Sequence, residues 1–295
     1  MFEQLEQIRK QEVKKILIAL GIAIVLVVFL QAVSRYGKFQ ILMFGFFASV
    51  VVIALLIGSS TKKYTSAYKQ MFLSTVLEKE FEDVKMNFDQ GFSADEIRDG
   101  HLVTLYDRFY SDDYISGKYN NIFFECSDIK VQDVVRSGKT TTVVTRFQGM
   151  YMKVNLKKQF SGWTVVREKE FLDNGNPRGF FSEMPQLEKV NFESEQFNQK
   201  FSVYSSDGEE AFYLLTPRFM DKMMEIEARY EGRCLFGFLN GQLHLAIDSR
   251  VDHFSVDLFE KVDKNKINEH QGEINMIKGL VELVARECEE ACSAF

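Results

Sequence analysis

Two long runs without a charged residue lie near the start of the chain and constrain its fold more than any other feature. They cover residues 16–34 and 39–61, which are 19 and 23 residues long. As helices they would be about 28 and 34 Å long, close to the roughly 30 Å thickness of a hydrocarbon core. Apolar residues surround the whole circumference of each helix, unlike the single apolar stripe of a surface helix. The sequence therefore predicts a transmembrane hairpin with a tight link at residues 35–38.

A buried core helix of a soluble protein is another interpretation of both runs, and a signal peptide is another interpretation of the first. Residues 32–34 (Ala-Val-Ser) resemble a small-residue cleavage site. However, three glutamates precede the run, and a second apolar run follows at once. Two apolar runs in tandem, both with basic flanks, favour the hairpin.

The charges around the two runs predict the orientation of the hairpin. Seven Lys and Arg residues lie near its outer ends, and only Arg35 and Lys38 lie in the link. Because cytoplasmic flanks carry the excess of Lys and Arg, both termini are predicted to be cytoplasmic. The four cysteines agree with a reducing compartment, since their spacing does not suggest a disulfide framework; they are Cys126, Cys234, Cys288 and Cys292.

The net charge of −6 is the average of two different regions. Residues 1–63 carry a net charge of +5, and residues 64–295 carry −11. An acidic domain is poorly suited to binding nucleic acid, so no nucleic-acid partner is predicted. The predicted domains are a tail and transmembrane hairpin at 1–63 and a cytoplasmic domain at 64–295.

Hydrophobic periodicity predicts an α+β fold for the cytoplasmic domain, with an antiparallel sheet bracketed by helices. The predicted helices are 64–88, 93–100, 217–230 and 266–288, and the predicted strands are 124–131, 150–156, 163–166, 201–204, 211–215, 234–239 and 242–247. Asn240-Gly241 is typical of a type I′ hairpin turn. The alternation in 150–156 predicts one face in contact with water.

No catalytic, cofactor or metal site is predicted. The four histidines are far apart in sequence, and His244 is predicted to be an exposed strand residue because it alternates with two leucines. Neither a nucleophile motif nor a phosphate-binding glycine loop is present. Acidic neighbours such as Asp112/Asp113 and Glu209/Glu210 are interpreted as solvated turns or strand edges.

Three stretches carry longer motifs: 113–125, which begins Asp-Tyr-Ile-Ser-Gly; 197–220, which contains Phe-Ser-Val-Tyr-Ser-Ser-Asp; and 236–247. Together with the two apolar runs, they resemble a bacterial membrane-protein family with no assigned activity, domain of unknown function 3137. Phe212 is a departure, since arginine is expected there in many relatives. The resemblance implies a bacterial two-span protein with a cytoplasmic domain, and it implies no reaction.

These observations favour a non-enzymatic, membrane-tethered binding or scaffold module in the bacterial cytoplasmic membrane. The expected partners are the lipid bilayer and other membrane proteins or a second copy of the chain. The candidate interaction surface consists of polar motif residues: Asp113, Tyr114, Gly117, Glu125, Asp207 and Glu210. Two alternatives remain open: a membrane-associated enzyme such as a hydrolase, and an oligomeric pore built from the hairpins.

Overall fold

The computed structural model describes residues 2–33, 39–156, 160–169, 187–230 and 232–293. The chain divides into two compact units. The first comprises Met1–Val76 and Phe254–Glu269, and the second comprises Leu77–His253 and His270–Phe295. The sequence predicts a domain boundary between residues 63 and 64. This division into compact units does not test that boundary, which stays a prediction.

The first unit is built from the two long N-terminal helices. Helix α1 covers Phe2–Val33 and helix α2 covers Phe39–Tyr68; a π-helical turn, Lys69–Leu73, then leads into α3, Ser74–Glu80. Within the described residues, one helical stretch, Met43–Glu80, is long and apolar enough to cross a membrane. This finding supports one candidate span among the described residues, and the two-span hairpin stays a prediction.

A small apolar core holds the polar ends of α1 and α2 together. It combines side chains from both helices and from the π-helical turn with two from the segment that follows His253: Leu5, Ile16, Tyr64, Tyr68, Phe72, Val256 and Leu258. Tyr68 and Leu258 are completely buried. A segment from late in the chain thus completes a core that begins at the N-terminus.

The second unit contains a nine-stranded sheet in which all neighbouring strands are antiparallel. The strands are β1 (Glu82–Asn87), β2 (Arg108–Tyr119), β3 (Ile122–Ser137), β4 (Thr140–Asn155), β5 (Thr164–Glu168), β6 (Glu188–Val190), β7 (Phe201–Ser205), β8 (Arg233–Leu239) and β9 (Gln242–Asp248). Their order is β1-β2-β3-β4-β9-β8-β5-β7-β6. The predicted α+β class with an antiparallel sheet is confirmed.

The described residues contain five further helices: α4 (Ala94–Asp99), α5 (Glu195–Lys200), α6 (Gly208–Leu214), α7 (Pro217–Arg229) and α8 (Lys264–Ser293). The predicted start signals are confirmed. Ser93 and Glu96 form a capping box at α4, and the Thr216 hydroxyl accepts a hydrogen bond from the Phe219 amide at the start of α7. Asn240 and Gly241 both have positive φ, as a type I′ turn requires.

The strand predicted at 211–215 is wrong, because this segment belongs to α6. The carboxylate of Asp207 accepts hydrogen bonds from the amides of Glu209 and Glu210, which caps the first turn of the helix. Ala211 and Leu214 then lie three residues apart on the buried side. The apolar run is therefore one face of a short helix.

The helix predicted at 64–88 is too long. It ends at Glu80, and Val84 lies in β1, which pairs with β2. Phe81 marks the change, since its ring packs 4.8 Å from that of Phe124 and 5.9 Å from that of Tyr119, measured between centroids. Pairing with a distant strand thus overrides the local helical spacing.

The prediction that one face of 150–156 contacts water is also wrong at the centre of the sheet, where Tyr151 lies. Met150 and Met152 are buried on one face, and Tyr151 is completely buried on the other. Tyr151 packs in a core with Phe92 and Ile97, which come from α4 and the segment before it. The centre of the sheet is therefore covered on both faces.

The β3–β4 hairpin runs beyond its neighbours as a two-stranded ribbon whose edges are blocked. On one edge, an Asp107 carboxylate oxygen accepts a hydrogen bond from the Val134 amide at 2.7 Å. On the other, the Arg250 guanidinium donates to the carbonyl oxygens of Thr145 and Arg146, at 2.6 and 3.3 Å. Such charged caps hinder edge-to-edge association of strands.

Asp248 is a buried carboxylate at the end of β9. It accepts hydrogen bonds from the Gln148 amide at 3.1 Å and from Arg233 at 2.5 Å, and it forms an ion pair with Arg250 at 3.1 Å. We expect Asp248→Asn to destabilise the second unit by about 3 kcal/mol, because it takes a charge from a buried pair. Thermal unfolding of the detergent-solubilised full chain, followed by the fluorescence of the single tryptophan, Trp163, measures this.

The control is Asp83→Asn, which removes the same charge from an exposed pair with Lys118. This variant is expected to unfold at the same midpoint as the unaltered protein, because exposed ion pairs contribute little. An Asp248→Asn midpoint equal to that of the control would contradict the structural role of Asp248.

Candidate interaction surface

Tyr114 of β2 and Glu125 of β3 are joined by a hydrogen bond between their side chains. The Tyr114 hydroxyl donates a hydrogen bond to a Glu125 carboxylate oxygen at 2.5 Å. Burial of the hydroxyl and this hydrogen bond together raise the pKa of Tyr114 to about 12. Tyr114 therefore keeps its proton at physiological pH and holds the carboxylate in one position.

Asp113 and Gly117 lie next to this pair and shape β2. Asp113 sits at an irregularity in the β2–β3 pairing, with φ of 55°, and only 2% of it is exposed. A Cβ on Gly117 would lie 3.1 Å from the Glu82 carbonyl oxygen, so the close approach of β1 favours glycine. Asp113 is thus buried, contrary to the solvated position expected for it.

Asp207 and Glu210 hold the turn before β5 against the start of α6. The two carboxylate oxygens of Glu210 accept hydrogen bonds from the amides of Ser161 and Gly162, at 2.8 and 2.6 Å. Asp207 caps α6, as described above. Both carboxylates therefore have backbone partners within the same chain.

The six candidate residues form two separate groups. Asp113, Tyr114, Gly117 and Glu125 lie on β2 and β3, whereas Asp207 and Glu210 lie beside β5 and β7. Strands β4, β9 and β8 separate β3 from β5. At about 4.8 Å per strand, these two strands are on the order of 20 Å apart. The interaction surface stays a prediction, and it consists of two patches.

A polar row continues from the first patch across the sheet. Ser116, Glu125, Lys153 and His244 are directly paired neighbours on β2, β3, β4 and β9, so they share one face. The Lys153 ammonium bonds Glu96 of α4 at 3.0 Å and lies 4.3 Å from the centroid of the Phe92 ring. Pairing patterns of this kind need the strand order, which the sequence alone does not provide.

His244 is buried, so the prediction of an exposed histidine is wrong. Its Nδ1 lies 2.8 Å from the Tyr151 hydroxyl, under the cover that α4 provides. Burial, followed by the charges of Lys153 and His101, lowers the pKa of His244 to about 4. The imidazole is therefore neutral at physiological pH and completes a buried hydrogen bond.

A second buried histidine, His253, is bound to Asp128 of β3. One Asp128 oxygen lies 2.8 Å from His253 Nδ1, and the other accepts a hydrogen bond from the His253 amide at 2.6 Å. Burial alone would lower the pKa of His253, but the hydrogen bond and charge of Asp128 outweigh it and raise the pKa. The Asp128–His253 pair therefore attaches the C-terminal end of the segment Leu77–His253 to strand β3.

No metal or thiol chemistry is evident in the described part of the chain. No group of three or more His, Cys, Asp or Glu side chains there is arranged to hold a metal ion. Cys126 and Cys234 are buried, and burial raises the pKa of each thiol. The side chains of Cys288 and Cys292 lie outside the described residues.

Comparison with known proteins supports the resemblance found in the motifs. Residues 145–286 match the model of a family described as protein of unknown function, DUF3137, which confirms the resemblance to this family over those residues. The stretch 113–125 and the two apolar runs lie outside the match. Asp207 and Glu210 lie inside the matched region. The description of this family assigns no activity.

No curated protein matches the chain. One solved structure is similar: the crystal structure of the mycobacterial trehalose monomycolate transport factor A, TtfA, at 10% sequence identity. The similarity covers 74% of this chain and 96% of that chain, with a TM-score of 0.37. A TM-score this low supports no inference about fold or function.

We expect His244 to reduce the stability of the folded protein as the pH falls from about 6.5 toward 4. An unfolded histidine takes up its proton near pH 6.5, whereas folded His244 does so only near pH 4. Between these values the unfolded state binds more protons and is favoured. The loss at pH 5 relative to pH 7.5 is expected to be about 2 kcal/mol, and His244→Asn should remove it. Denaturant unfolding of the full chain at both pH values measures the difference.

His253→Asn is the control with the opposite sign. Because the folded pKa of His253 is raised, its protonation stabilises the folded protein below the unfolded pKa, and this contribution is lost as the pH rises through the folded pKa. The His253→Asn variant should therefore lose more stability than the unaltered protein between pH 7.5 and pH 5. A His244→Asn variant with undiminished pH dependence would contradict the assignment.

Proposed function

We propose that this protein is an integral membrane protein with two spans that holds a non-enzymatic binding or scaffold module at the cytoplasmic face of the bacterial cytoplasmic membrane. The observation that carries the proposal is the apolar belt on α1 and α2. Large apolar side chains point outward along both helices, including Val25 at 68% exposed, Phe44 at 77% and Leu55 at 69%. A soluble protein rarely leaves so extensive an apolar surface uncovered.

The chemistry of the two helices supports insertion into lipid. A helix satisfies its own backbone hydrogen bonds, which is a requirement in the hydrocarbon core. The runs at 16–34 and 39–61 contain no charged residue, and lysines follow at their outer ends. Since ion pathways usually place ionisable residues inside the membrane, an anchor fits these runs better than a pore or transporter.

The second unit supports a binding role more than a catalytic one. Glu125 and Glu210 are engaged in hydrogen bonds within the chain, and the Cys126 and Cys234 thiols are buried. Tethering to a membrane raises the effective concentration of any partner in the same membrane. The proposed module therefore works by holding a protein partner, without chemistry of its own.

Helix α6 offers a suitable contact face next to the second candidate patch. Phe212 and Tyr213 are 54% and 50% exposed. The Phe212 ring is supported by that of Phe192, with 4.8 Å between centroids. Supported aromatic side chains are typical of protein interfaces, so we propose that α6 contacts the partner.

The proposed topology predicts that the link between the helices lies outside the cytoplasm. A C-terminal green fluorescent protein fusion should fluoresce, and a C-terminal alkaline phosphatase fusion should be inactive. A phosphatase fused after Lys38 should be active, because the link faces the opposite side. The full chain should also stay in the membrane pellet after washing with alkaline carbonate. Release by carbonate, or an active C-terminal phosphatase, would contradict the proposal.

A partner bound at α6 should be captured by a photoreactive amino acid placed at that helix. With a benzoyl group on a phenylalanine analogue at position 212, illumination of intact cells should give one discrete adduct, identified by mass spectrometry. The control replaces Val135, an exposed residue at the β3–β4 tip, in the same way. Equal or absent adducts at both positions would argue against α6 as the contact.

A further inference from the structure

We infer that Lys14, Lys15, Lys62 and Lys63 form a binding site for the headgroup of an anionic phospholipid. The inference rests on the proposed membrane insertion of α1 and α2. Two of the lysines belong to α1 and two to α2, and all four are exposed. They lie where both helices change from apolar to polar sequence, which is the depth of lipid headgroups in an inserted hairpin.

A buried glutamate brings two of these lysines together. Glu12 is 2% exposed, and one of its oxygens accepts hydrogen bonds from the ammonium groups of both Lys15 and Lys63, at 2.7 and 2.8 Å. Its other oxygen accepts one from the Ser60 hydroxyl at 3.1 Å. Because both ammonium groups bond the same oxygen, they lie side by side although they come from different helices.

The single negative charge of Glu12 lies between the two ammonium groups of Lys15 and Lys63. Burial of Glu12 would raise its pKa, but the hydrogen bonds from Lys15, Lys63 and Ser60 outweigh it and lower the pKa to about 2. Glu12 is therefore a full negative charge, and it is shared between two ammonium groups. Each ammonium has three donors, so Lys15 and Lys63 retain donors for a further anion. Lys14 and Lys62 add to the positive charge next to them.

An apolar groove on the same two helices favours a lipid over a free phosphate. The groove lies between α1 and α2, has a volume of about 500 Å³, and is lined mainly by small and branched residues that include Ala19, Ala23, Gly45, Ala48 and Val52. Ala19 is one helical turn from Lys15. The hydroxyl of Ser49, also in the groove, donates to its own helix at the Phe46 carbonyl. An acyl chain in this groove would place its phosphate at the lysines.

Phosphate is the group that this arrangement recognises best. Lysine binds phosphate as a compact point charge, and juxtamembrane lysines contribute about 1 kcal/mol each toward anionic lipid. A zwitterionic headgroup carries its own cation, which the lysines repel. The site should therefore prefer phosphatidylglycerol to phosphatidylcholine with the same acyl chains.

The test is a lipid titration of the detergent-solubilised full chain, followed by native mass spectrometry. Phosphatidylglycerol should bind at least tenfold more tightly than phosphatidylcholine, and sn-glycerol 3-phosphate should not compete. The triple variant Glu12→Gln/Lys15→Gln/Lys63→Gln removes both lysines together with the buried carboxylate that they neutralise. Its affinity for phosphatidylglycerol should fall about thirtyfold, because each lysine contributes about 1 kcal/mol and 1.4 kcal/mol corresponds to tenfold. Phosphatidylcholine affinity should be unchanged.

One control separates this site from general charge effects. Lys139→Gln/Lys189→Gln removes two exposed lysines of the second unit and should leave the selectivity intact. Far-ultraviolet circular dichroism of each variant, which reports its helix content, verifies that it is folded.

Three results would overturn the inference: equal affinity for the two lipids, selectivity retained in the folded triple variant, or competition by sn-glycerol 3-phosphate as strong as that by the lipid. The last result would identify a free phosphate ester as the ligand. Failure of the proposed function is distinguishable, because carbonate would then release the unaltered chain. A chain that stays in the membrane but lacks lipid selectivity contradicts only the headgroup site.

Discussion

Antiparallel pairing between β4 and β9 is the interaction on which the second unit depends. It joins the meander β1–β4, formed early in the chain, to the strands that follow residue 160. Gly149 allows β9 to approach β4 closely at one end of this pairing, since a Cβ on residue 149 would lie 2.2 Å from the Ile247 carbonyl oxygen. The Tyr151–His244 hydrogen bond joins the same two strands, and the buried Asp248 carboxylate closes the pairing. Six residue pairs between β4 and β9, from Met150–Ile247 to Asn155–Gln242, join the nine strands into one sheet.

The polar groups of this protein serve mainly to position its own backbone. Glu210 holds the turn before β5, Asp207 caps α6, and Asp128 fixes His253 through both amide and imidazole. Since a buried polar group without a partner is costly, this internal use accounts for acidic motif residues without invoking catalysis. The surface that we propose for a partner is instead the exposed aromatic face of α6. The acidic motif residues therefore stabilise the fold, whereas the aromatic residues of α6 remain exposed to solvent.

Local chemistry was sufficient to predict some elements and not others. The Ser93 capping box, the Thr216-Pro217 helix start and the Asn240-Gly241 turn depend on neighbouring residues, so the sequence predicts them correctly. The burial of His244 and the strand at Val84 depend on segments far away in the chain, which local spacing does not reveal. For the candidate site, the motifs suggested the residues of each patch, and the three strands between the patches were also predicted. Their order in the sheet could not be predicted, because it depends on pairing between segments far apart in the chain.

The core that joins the polar ends of α1 and α2 has a consequence for biosynthesis. Its side chains Leu5 and Tyr64 leave the ribosome early, whereas Val256 and Leu258 follow only after the whole sheet has been translated. In the proposed topology, the helices can enter the membrane during that interval, but their cytoplasmic ends then lack part of their packing. The first unit is therefore completed only when most of the chain has been made, so interrupted synthesis would leave an anchor with an exposed apolar surface. Such a surface is a mark by which quality-control proteases recognise incomplete chains.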